Sequence, residues 1–193
     1  MRITGVILAG GRGTRMGGVE KGLLDWQGRP LIAHLLDALA PQVDGLMLNV
    51  NREHARYAAF NLPLIGDKPE LTGLGPLAGL HSALSHSPTE LVVCVPCDLP
   101  KLPPDLVERL LAASLGRGTR PPLAYATSAA RAYPTLCLSH VAWREALAAS
   151  LRQGHCAAWR WLSEQQAGVA DLGAWEPENF NTPEALLRAK KTP

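Results

Sequence analysis

Short apolar segments alternate with amphipathic helical segments along the first half of this 193-residue chain. The strand-like segments Ile3–Leu8 and 91–95 are mostly apolar, and segment 30–40 carries leucine and isoleucine at helical spacing. Apolar strands joined by helices predict a parallel sheet that helices cover on both faces. The predicted fold class is therefore α/β, a three-layer α/β/α sandwich with a Rossmann-like, mostly parallel sheet.

The remaining segments continue this pattern, interrupted by a turn-rich break at residues 116–122. Further strands are predicted at 45–50, 62–65, 123–126, 135–138 and 168–172. Further helices are predicted at 53–60, 77–85, 104–113, 141–151, 157–165 and 182–189. A chain of this length suits one compact domain, so residues 1–193 are expected to form a single unit.

The first predicted strand runs into a loop of five glycines, two arginines and a lysine that ends at Lys21. Glycines let backbone N–H groups approach an anion closely, and arginine and lysine add positive charge around it. The loop is therefore interpreted as a phosphate-binding loop rather than an ordinary turn. It is not a Walker A loop, because Lys21 stands between Glu20 and Gly22. Gly11 and Gly13 fit the start of the dinucleotide-binding fingerprint G-x-G-x-x-G, but the glycine that should complete it, Gly17, comes one position late.

Polar side chains follow several of the predicted strands, at the edge where parallel α/β sheets bind ligands. Asp98 comes after the strand at 91–95 and either binds Mg²⁺ or accepts hydrogen bonds within the following turn. Asp67 is either a solvated turn residue or a ligand-binding carboxylate. Asn49 and Asn51 either satisfy buried backbone groups or contact a ligand, and the residues alone leave both interpretations open.

Composition excludes several classes of protein. The formal net charge of +2 argues against a general nucleic-acid binder, which needs a strongly basic face. No apolar run is long enough to span a bilayer, and the first apolar run leads straight into the glycine loop. We therefore expect a cytoplasmic protein with no nucleic-acid or membrane partner. The four cysteines fit a reducing compartment, and Cys94 and Cys97 are interpreted as core residues rather than a redox or zinc pair.

A longer motif sharpens the interpretation of the glycine loop. Residues 8–21 follow the pattern L-A-G-G-x-x-x-R-M-G-G-x-x-K, which resembles the signature of the molybdenum cofactor guanylyltransferases. Segments 21–24, 28–31, 49–52, 75–79, 96–98, 133–135 and 181–184 are similar to that family's blocks in the same order. Sugar-nucleotide pyrophosphorylases share the loop but usually have proline where this chain has Glu20. Cytidylyl-transferring relatives tend to lack the Ala-Gly-Gly form, so the resemblance favours guanine.

The resemblance implies a fold of the nucleotidyltransferase type and a Mg²⁺-dependent transfer of GMP from GTP to the phosphate of Mo-molybdopterin. It implies that residues 1–115 bind GTP and that residues 116–193 contribute to molybdopterin binding. The implied nucleotide-binding residues are Leu8, Ala9, Gly10, Gly11, Lys21, Asn49, Asp67 and Asp98. The implied catalytic residues are Arg15, Lys21 and Asp98, with Asp98 as the metal ligand. The implied molybdopterin-binding residues are Arg52, Asn179 and Asn181.

GTP and Mo-molybdopterin are thus the expected substrates of a monomeric enzyme. Transient contacts with molybdenum cofactor biosynthesis proteins and acceptor molybdoenzymes are also expected, and CTP stays open as an alternative nucleotide. Two other functions remain as alternatives. One is a nicotinamide-dependent oxidoreductase, although no tyrosine of the chain is followed at helical spacing by the lysine such enzymes use. The other is a nucleotide-gated binding module that delivers or stores a cofactor without turnover.

Overall fold

Strands and helices alternate through the residues that this computed structural model describes, which are 1–10, 20–115, 120–129 and 131–176. The strands are β1 (Ile3–Leu8), β2 (Asp25–Trp26), β3 (Arg29–Pro30), β4 (Gly45–Asn49), β5 (Leu64–Ile65), β6 (Leu91–Pro96), β7 (Leu123–Ser128), β8 (Arg131–His140) and β9 (Gly168–Asp171). The helices are α1 (Leu31–Leu39), α2 (His54–Tyr57), α3 (Pro76–His86), α4 (Leu106–Leu115), α5 (Arg144–Arg152) and α6 (Ala158–Glu164). Among these helices none has the length and apolar character needed to cross a membrane.

The large sheet has the strand order β5-β4-β1-β6-β8-β7-β9 within the described residues. Strands β5, β4, β1 and β6 are parallel neighbours, and β9 is parallel to β7. Strand β8 is antiparallel to both β6 and β7, so it alone reverses direction among these seven strands. The predicted mostly parallel α/β sheet is therefore confirmed.

Helices cover both faces of the sheet because successive strand side chains point to opposite sides. Ile7 of β1 belongs to one buried apolar cluster, which also contains Leu110 of α4 and residues of α1. The neighbouring Val6 belongs to a second cluster, which contains Leu80 of α3 and Leu147 of α5. The two clusters are the two inner layers of an α/β/α sandwich.

Several predicted boundaries differ from the structure. The helix expected at 53–60 is the short α2 followed by a 3₁₀ turn, and β7 and β8 are longer than predicted. The hairpin formed by β2 and β3 was not predicted. Its turn residues Gln27 and Gly28 both have positive φ, at 52° and 78°, whereas the usual signal for such a turn is Asn-Gly. The helix predicted at 182–189 lies outside the described residues.

The strand register decides which loops meet. Leu8 at the end of β1 pairs with Asn49 at the end of β4 and with Pro96 at the end of β6. Three neighbouring parallel strands therefore end at the same level. Residues 9–10, 49–52 and 96–98 consequently emerge side by side at one edge of the sheet.

The cysteines are free thiols, and three of them are buried. Cys94 and Cys137 pair across β6 and β8, and their hydrogen bond, together with burial, raises the pKa of Cys94. Burial raises the pKa of Cys97 to about 12. Only Cys156 among the four is partly exposed. This agrees with the interpretation of Cys94 and Cys97 as core residues.

We expect one thiol per folded chain to react rapidly with a disulfide reagent such as DTNB, because the thiolate of an accessible cysteine is the reactive species. The thiol count should rise to four in denaturant, since all four cysteines are unpaired. In Cys156→Ser the rapid reaction of the folded protein should disappear. Any rapidly reacting thiol in the folded Cys156→Ser variant would contradict this assignment.

Candidate active site

A cavity of about 470 Å³ opens at the carboxyl edge of the sheet. Strand ends contribute Leu8, Asn49 and Pro96 to its wall, and connecting segments contribute Gly10, Asn51, Arg52, Asp67, Thr72, Gly73 and Gly75. Helix α3 adds Pro76 and Gly79, and β8 adds Thr135. The volume lies in the range typical of small-molecule sites. The site therefore stands where open α/β sheets bind ligands, outside the carboxyl ends of parallel strands.

The Asp67 carboxylate is held in place by amide groups from the end of β4. Asn49 Nδ2 donates a hydrogen bond of 3.0 Å to Asp67 Oδ1, and Asn51 Nδ2 donates one of 2.8 Å to Asp67 Oδ2. The backbone N–H of Asp67 donates back to Asn51 Oδ1 at 2.8 Å. Because both carboxylate oxygens accept hydrogen bonds from this network, Asp67 is a fixed part of the cavity wall and not a freely solvated turn residue.

Close packing explains two glycines of the site. Asn51 Nδ2 also donates to the Gly10 carbonyl at 3.1 Å, and a Cβ added at Gly10 would lie 2.5 Å from that nitrogen. A Cβ at Gly79 of α3 would lie 2.9 Å from Asn49 Oδ1. Larger residues at either position would push the asparagine away from Asp67. The asparagines and the glycines are therefore required together.

Lys21 and Asp98 form an ion pair beside the cavity. Lys21 Nζ lies 3.8 Å from Asp98 Oδ2, and the two side chains are 22% and 20% exposed. The contact joins the end of the glycine-rich segment to the segment that follows β6. Within the described residues the cavity wall includes Pro96, two positions before Asp98, but includes neither member of the pair. The two groups thus touch each other at the edge of the cavity instead of facing one another across it.

A second ion pair lies on the other side of Lys21. Glu20 is buried, and its Oε1 lies 2.7 Å from Arg52 Nη2. The hydroxyl of the buried Tyr57 donates a 3.4 Å hydrogen bond to Glu20 Oε2. Burial, the nearby Cys97 and Glu20 together raise the pKa of Tyr57, so the phenol stays protonated and acts as a donor. Each of the two consecutive residues Glu20 and Lys21 is therefore paired with a group from a different strand end.

The residues singled out from the sequence fall into three groups. Those on the cavity wall are Leu8, Gly10, Asn49, Arg52 and Asp67, with the buried Ala9 between the first two. Those in the adjacent ion pair are Lys21 and Asp98. Those outside the described residues are Gly11, Arg15, Asn179 and Asn181.

Sequence reasoning missed part of the site. The sequence left open whether Asn51 satisfies backbone groups or contacts a ligand, and the structure shows that it connects Gly10 to Asp67. Thr135 lines the cavity from β8. The sequence signal for this residue was the short block at 133–135. Glu20 was noted only as a departure from proline. The available signal was a charged residue flanked by valine and lysine, which does not reveal that its side chain is buried.

The donor chemistry of Asp98 fits a hard divalent cation. Its carboxylate is partly exposed at the edge of the cavity and already lies against one positive group, Lys21. Across the described ranges no group of three His, Cys, Asp or Glu side chains is arranged to enclose a metal. Mg²⁺ commonly takes one or two carboxylates and completes its shell with water and substrate phosphates. Asp98 can therefore hold Mg²⁺ together with a bound nucleotide.

Comparison with known proteins shows the family. Residues 5–169 match the model of the MobA-like NTP transferase domain. The chain belongs to the MobA-like NTP transferase family. A protein of Yersinia pseudotuberculosis serotype O:1b (strain IP 31758) named molybdenum cofactor guanylyltransferase is 43% identical over 189 residues, which cover 94% of this chain and 91% of that protein. The family resemblance stated from the sequence motifs is thus confirmed, and this MobA-like chain is a nucleotidyltransferase.

Solved structures share the fold of this MobA-like chain. Molybdopterin-guanine dinucleotide biosynthesis protein A from Archaeoglobus fulgidus superposes with a TM-score of 0.73 at 22% identity, covering 97% of each chain. A Mycobacterium tuberculosis H37Rv protein solved in complex with manganese superposes with a TM-score of 0.66 at 18% identity, covering 100% of each chain. At these identities the likeness shows the nucleotidyltransferase fold of the family and no more.

Proposed function

We propose that this MobA-like nucleotidyltransferase transfers GMP from GTP to the phosphate of Mo-molybdopterin and releases pyrophosphate. The observation that carries the proposal is the contact between Lys21 and Asp98 at the edge of the 470 Å³ cavity. A cation and a carboxylate that can bind a metal, close to a space of this volume, support nucleotidyl transfer. The name of the Yersinia relative supports guanine as the base and molybdopterin as the acceptor.

The charges of the site suit this reaction. The attacking group is a phosphate oxygen, which is already anionic near neutral pH, so the reaction needs no strong general base. The main barrier is the approach of two anions and the build-up of charge on the α-phosphate and the leaving pyrophosphate. Positioning and nearby cations lower such a barrier. Lys21 is proposed to supply this positive charge, whereas Arg52 is proposed to contribute to acceptor binding and not to the chemical step.

The residues on the nucleotide side are proposed to have separate roles. The loop from Leu8 to Gly18 is proposed to hold the triphosphate through backbone N–H groups beyond Ala9, whose own N–H donates to the Asn49 carbonyl at 2.9 Å. Asn49 and the fixed Asp67 carboxylate lie on the adjoining wall. Lys21 neutralises the triphosphate, and Arg15 is proposed to assist it. Asp98 would hold Mg²⁺, which acts as a Lewis acid and template for the phosphate oxygens. The manganese complex of the mycobacterial structure supports a divalent ion in this fold.

The acceptor side is proposed to involve Arg52, Asn179 and Asn181. Arg52 lines the cavity, and Thr135 on β8 brings the second half of the chain to the same wall. This supports a contribution of residues 116–193 to molybdopterin binding, beside a GTP-binding part at 1–115. We further propose a monomer that acts in the cytoplasm and makes transient contacts with molybdenum cofactor biosynthesis proteins and acceptor molybdoenzymes.

The proposal is tested by incubating the purified chain with each nucleoside triphosphate, Mg²⁺ and molybdopterin-loaded acceptor, and then identifying the products by mass. We expect the guanine dinucleotide and pyrophosphate with GTP only. A cytosine product would overturn the choice of base. GTP binding without pyrophosphate release would favour the nucleotide-gated binding module. Thermal stabilisation by NAD(P) but not by GTP with Mg²⁺ would favour the oxidoreductase.

A further inference from the structure

We propose that Glu20 is a positioning residue that holds the Arg52 guanidinium toward the phosphate group of the second substrate. The inference rests on the proposed function and adds a residue that acts through Arg52. Glu20 Oε1 lies 2.7 Å from Arg52 Nη2, so the two side chains form a close ion pair.

The two partners differ in exposure, and this difference separates their roles. The Glu20 side chain is 7% exposed, whereas the Arg52 side chain is 44% exposed and lines the cavity. A buried carboxylate needs a charged or hydrogen-bonding partner, because desolvation penalises it otherwise. Glu20 is too deeply placed to meet a ligand itself. Arg52 can meet one while its guanidinium stays anchored from behind.

The anchor itself is held rigidly. The Tyr57 hydroxyl donates to the second oxygen of Glu20, and Tyr57 is fully buried. A Cβ added at Gly22 would lie 2.9 Å from the Tyr57 hydroxyl, so the chain just beyond Glu20 packs closely over that ring. On the opposite side, Lys21 contacts Asp98. One oxygen of the Glu20 carboxylate therefore accepts a hydrogen bond from Tyr57, and the other forms the ion pair with Arg52.

Anchoring matters because arginine is long and flexible. Asp67 also lines the cavity, but both of its carboxylate oxygens already accept hydrogen bonds from Asn49 and Asn51. The guanidinium is planar and suited to bidentate recognition of phosphate, and the ion pair with Glu20 at one Nη restricts where the group can lie. Glu20 thus selects one orientation of Arg52 before the substrate arrives, which lowers the entropic cost of binding.

The test compares Glu20→Gln, Arg52→Gln and the double variant with the wild type. Each single substitution keeps a hydrogen-bonding group for the other partner and removes one charge. The readouts are the dissociation constant of the molybdopterin acceptor, its KM, kcat, and the dissociation constant of GTP. Asp37→Asn is the matched control, since Asp37 forms an ion pair of the same 2.7 Å length with Arg29 on the exposed surface.

We expect Glu20→Gln to raise the acceptor dissociation constant and KM about fivefold, and Arg52→Gln to raise them about tenfold. In both variants kcat and GTP affinity should stay within about twofold, because the lost contact is made equally in the ground and transition states. Adding Glu20→Gln to Arg52→Gln should change nothing further, since Glu20 acts only through Arg52. Asp37→Asn should match the wild type.

Three results would overturn the inference. The first is an acceptor affinity that Glu20→Gln leaves unchanged. The second is a loss of acceptor affinity that is as large when Glu20→Gln is added to Arg52→Gln as when it is made in the wild type. The third is a fall in kcat without a change in KM. If Glu20→Gln does not fold, Glu20→Asp keeps the buried charge and shortens its reach, and the same comparisons apply. A wild type that binds the acceptor but transfers no GMP would refute the proposed function, while the acceptor dissociation constants would still test Glu20.

Discussion

Asp98→Ala is expected to reduce GMP transfer about a hundredfold or more while the GTP dissociation constant stays within about tenfold. The carboxylate is proposed to hold the ion that stabilises charge formed during the reaction, so its loss affects the transition state more than nucleotide binding. Its removal also frees the Lys21 ammonium from a competing anion 3.8 Å away, which offsets part of the lost affinity for GTP. Single-turnover rates and calorimetric GTP titrations measure the two quantities.

The isosteric Asp98→Asn separates charge from shape. It keeps the size of the side chain, loses the anionic oxygen that Mg²⁺ prefers, and should be nearly as inactive as Asp98→Ala. Asp105→Asn is the control, because Asp105 forms a 2.7 Å ion pair with Arg109 on the exposed surface. Parallel losses of binding and turnover in Asp98→Ala would refute the metal-ligand assignment.

Lys21→Ala is expected to weaken GTP binding about tenfold and to lower turnover by a larger factor. Lys21 meets the negative charge of the triphosphate in the ground state and meets more of it in the transition state. The two side chains of the ion pair with Asp98 keep contact with solvent, so the variant should stay folded. GTP titration, transfer rates and a thermal melt of the same preparation check the three statements.

Two further variants test the role of Lys21: Lys21→Arg, and the double variant that combines Lys21→Ala with Asp98→Ala. Lys21→Arg keeps the charge and should retain more affinity for GTP than Lys21→Ala, although its larger planar head misplaces the contact. Because Lys21 and Asp98 touch, the losses in Lys21→Ala and Asp98→Ala should not add in the double variant. Transfer by Lys21→Ala at the wild-type rate would require another account of the glycine-rich loop.

The local sequence pattern predicted the individual helices and strands well, but it predicted their ends poorly. The apolar run at β1 and the helical spacing of α1 were both interpreted correctly, because burial on a sheet or on one helix face imposes a period on the sequence. The β2–β3 hairpin was missed because its strands have two residues each, too few to show any period. The predicted strands corresponding to β7 and β8 were too short, because their polar ends do not look buried.

The candidate site was only partly predictable for a different reason. Asp67 and Asp98 were each open to a local explanation as turn residues, because a single carboxylate after a strand looks the same in both cases. The structure distinguishes them through partners far along the chain: Asn49 and Asn51 for Asp67, and Lys21 for Asp98. Such partners depend on which strands are neighbours, and the spacing of residues within one segment carries no information about that.

By itself, the sequence determined the α/β class and the resemblance to the guanylyltransferases, and it predicted a phosphate-binding role for the glycine-rich loop. These follow from side-chain periodicity, from the conformational freedom of glycine and from residues that are adjacent in the chain. Only the tertiary structure decided that β8 runs against its neighbours, that Asn51 ties Gly10 to Asp67, and that Glu20 is buried against Arg52. The physical reason is that strand order and register set which distant side chains touch, and the burial and pairing of charges depend on those contacts.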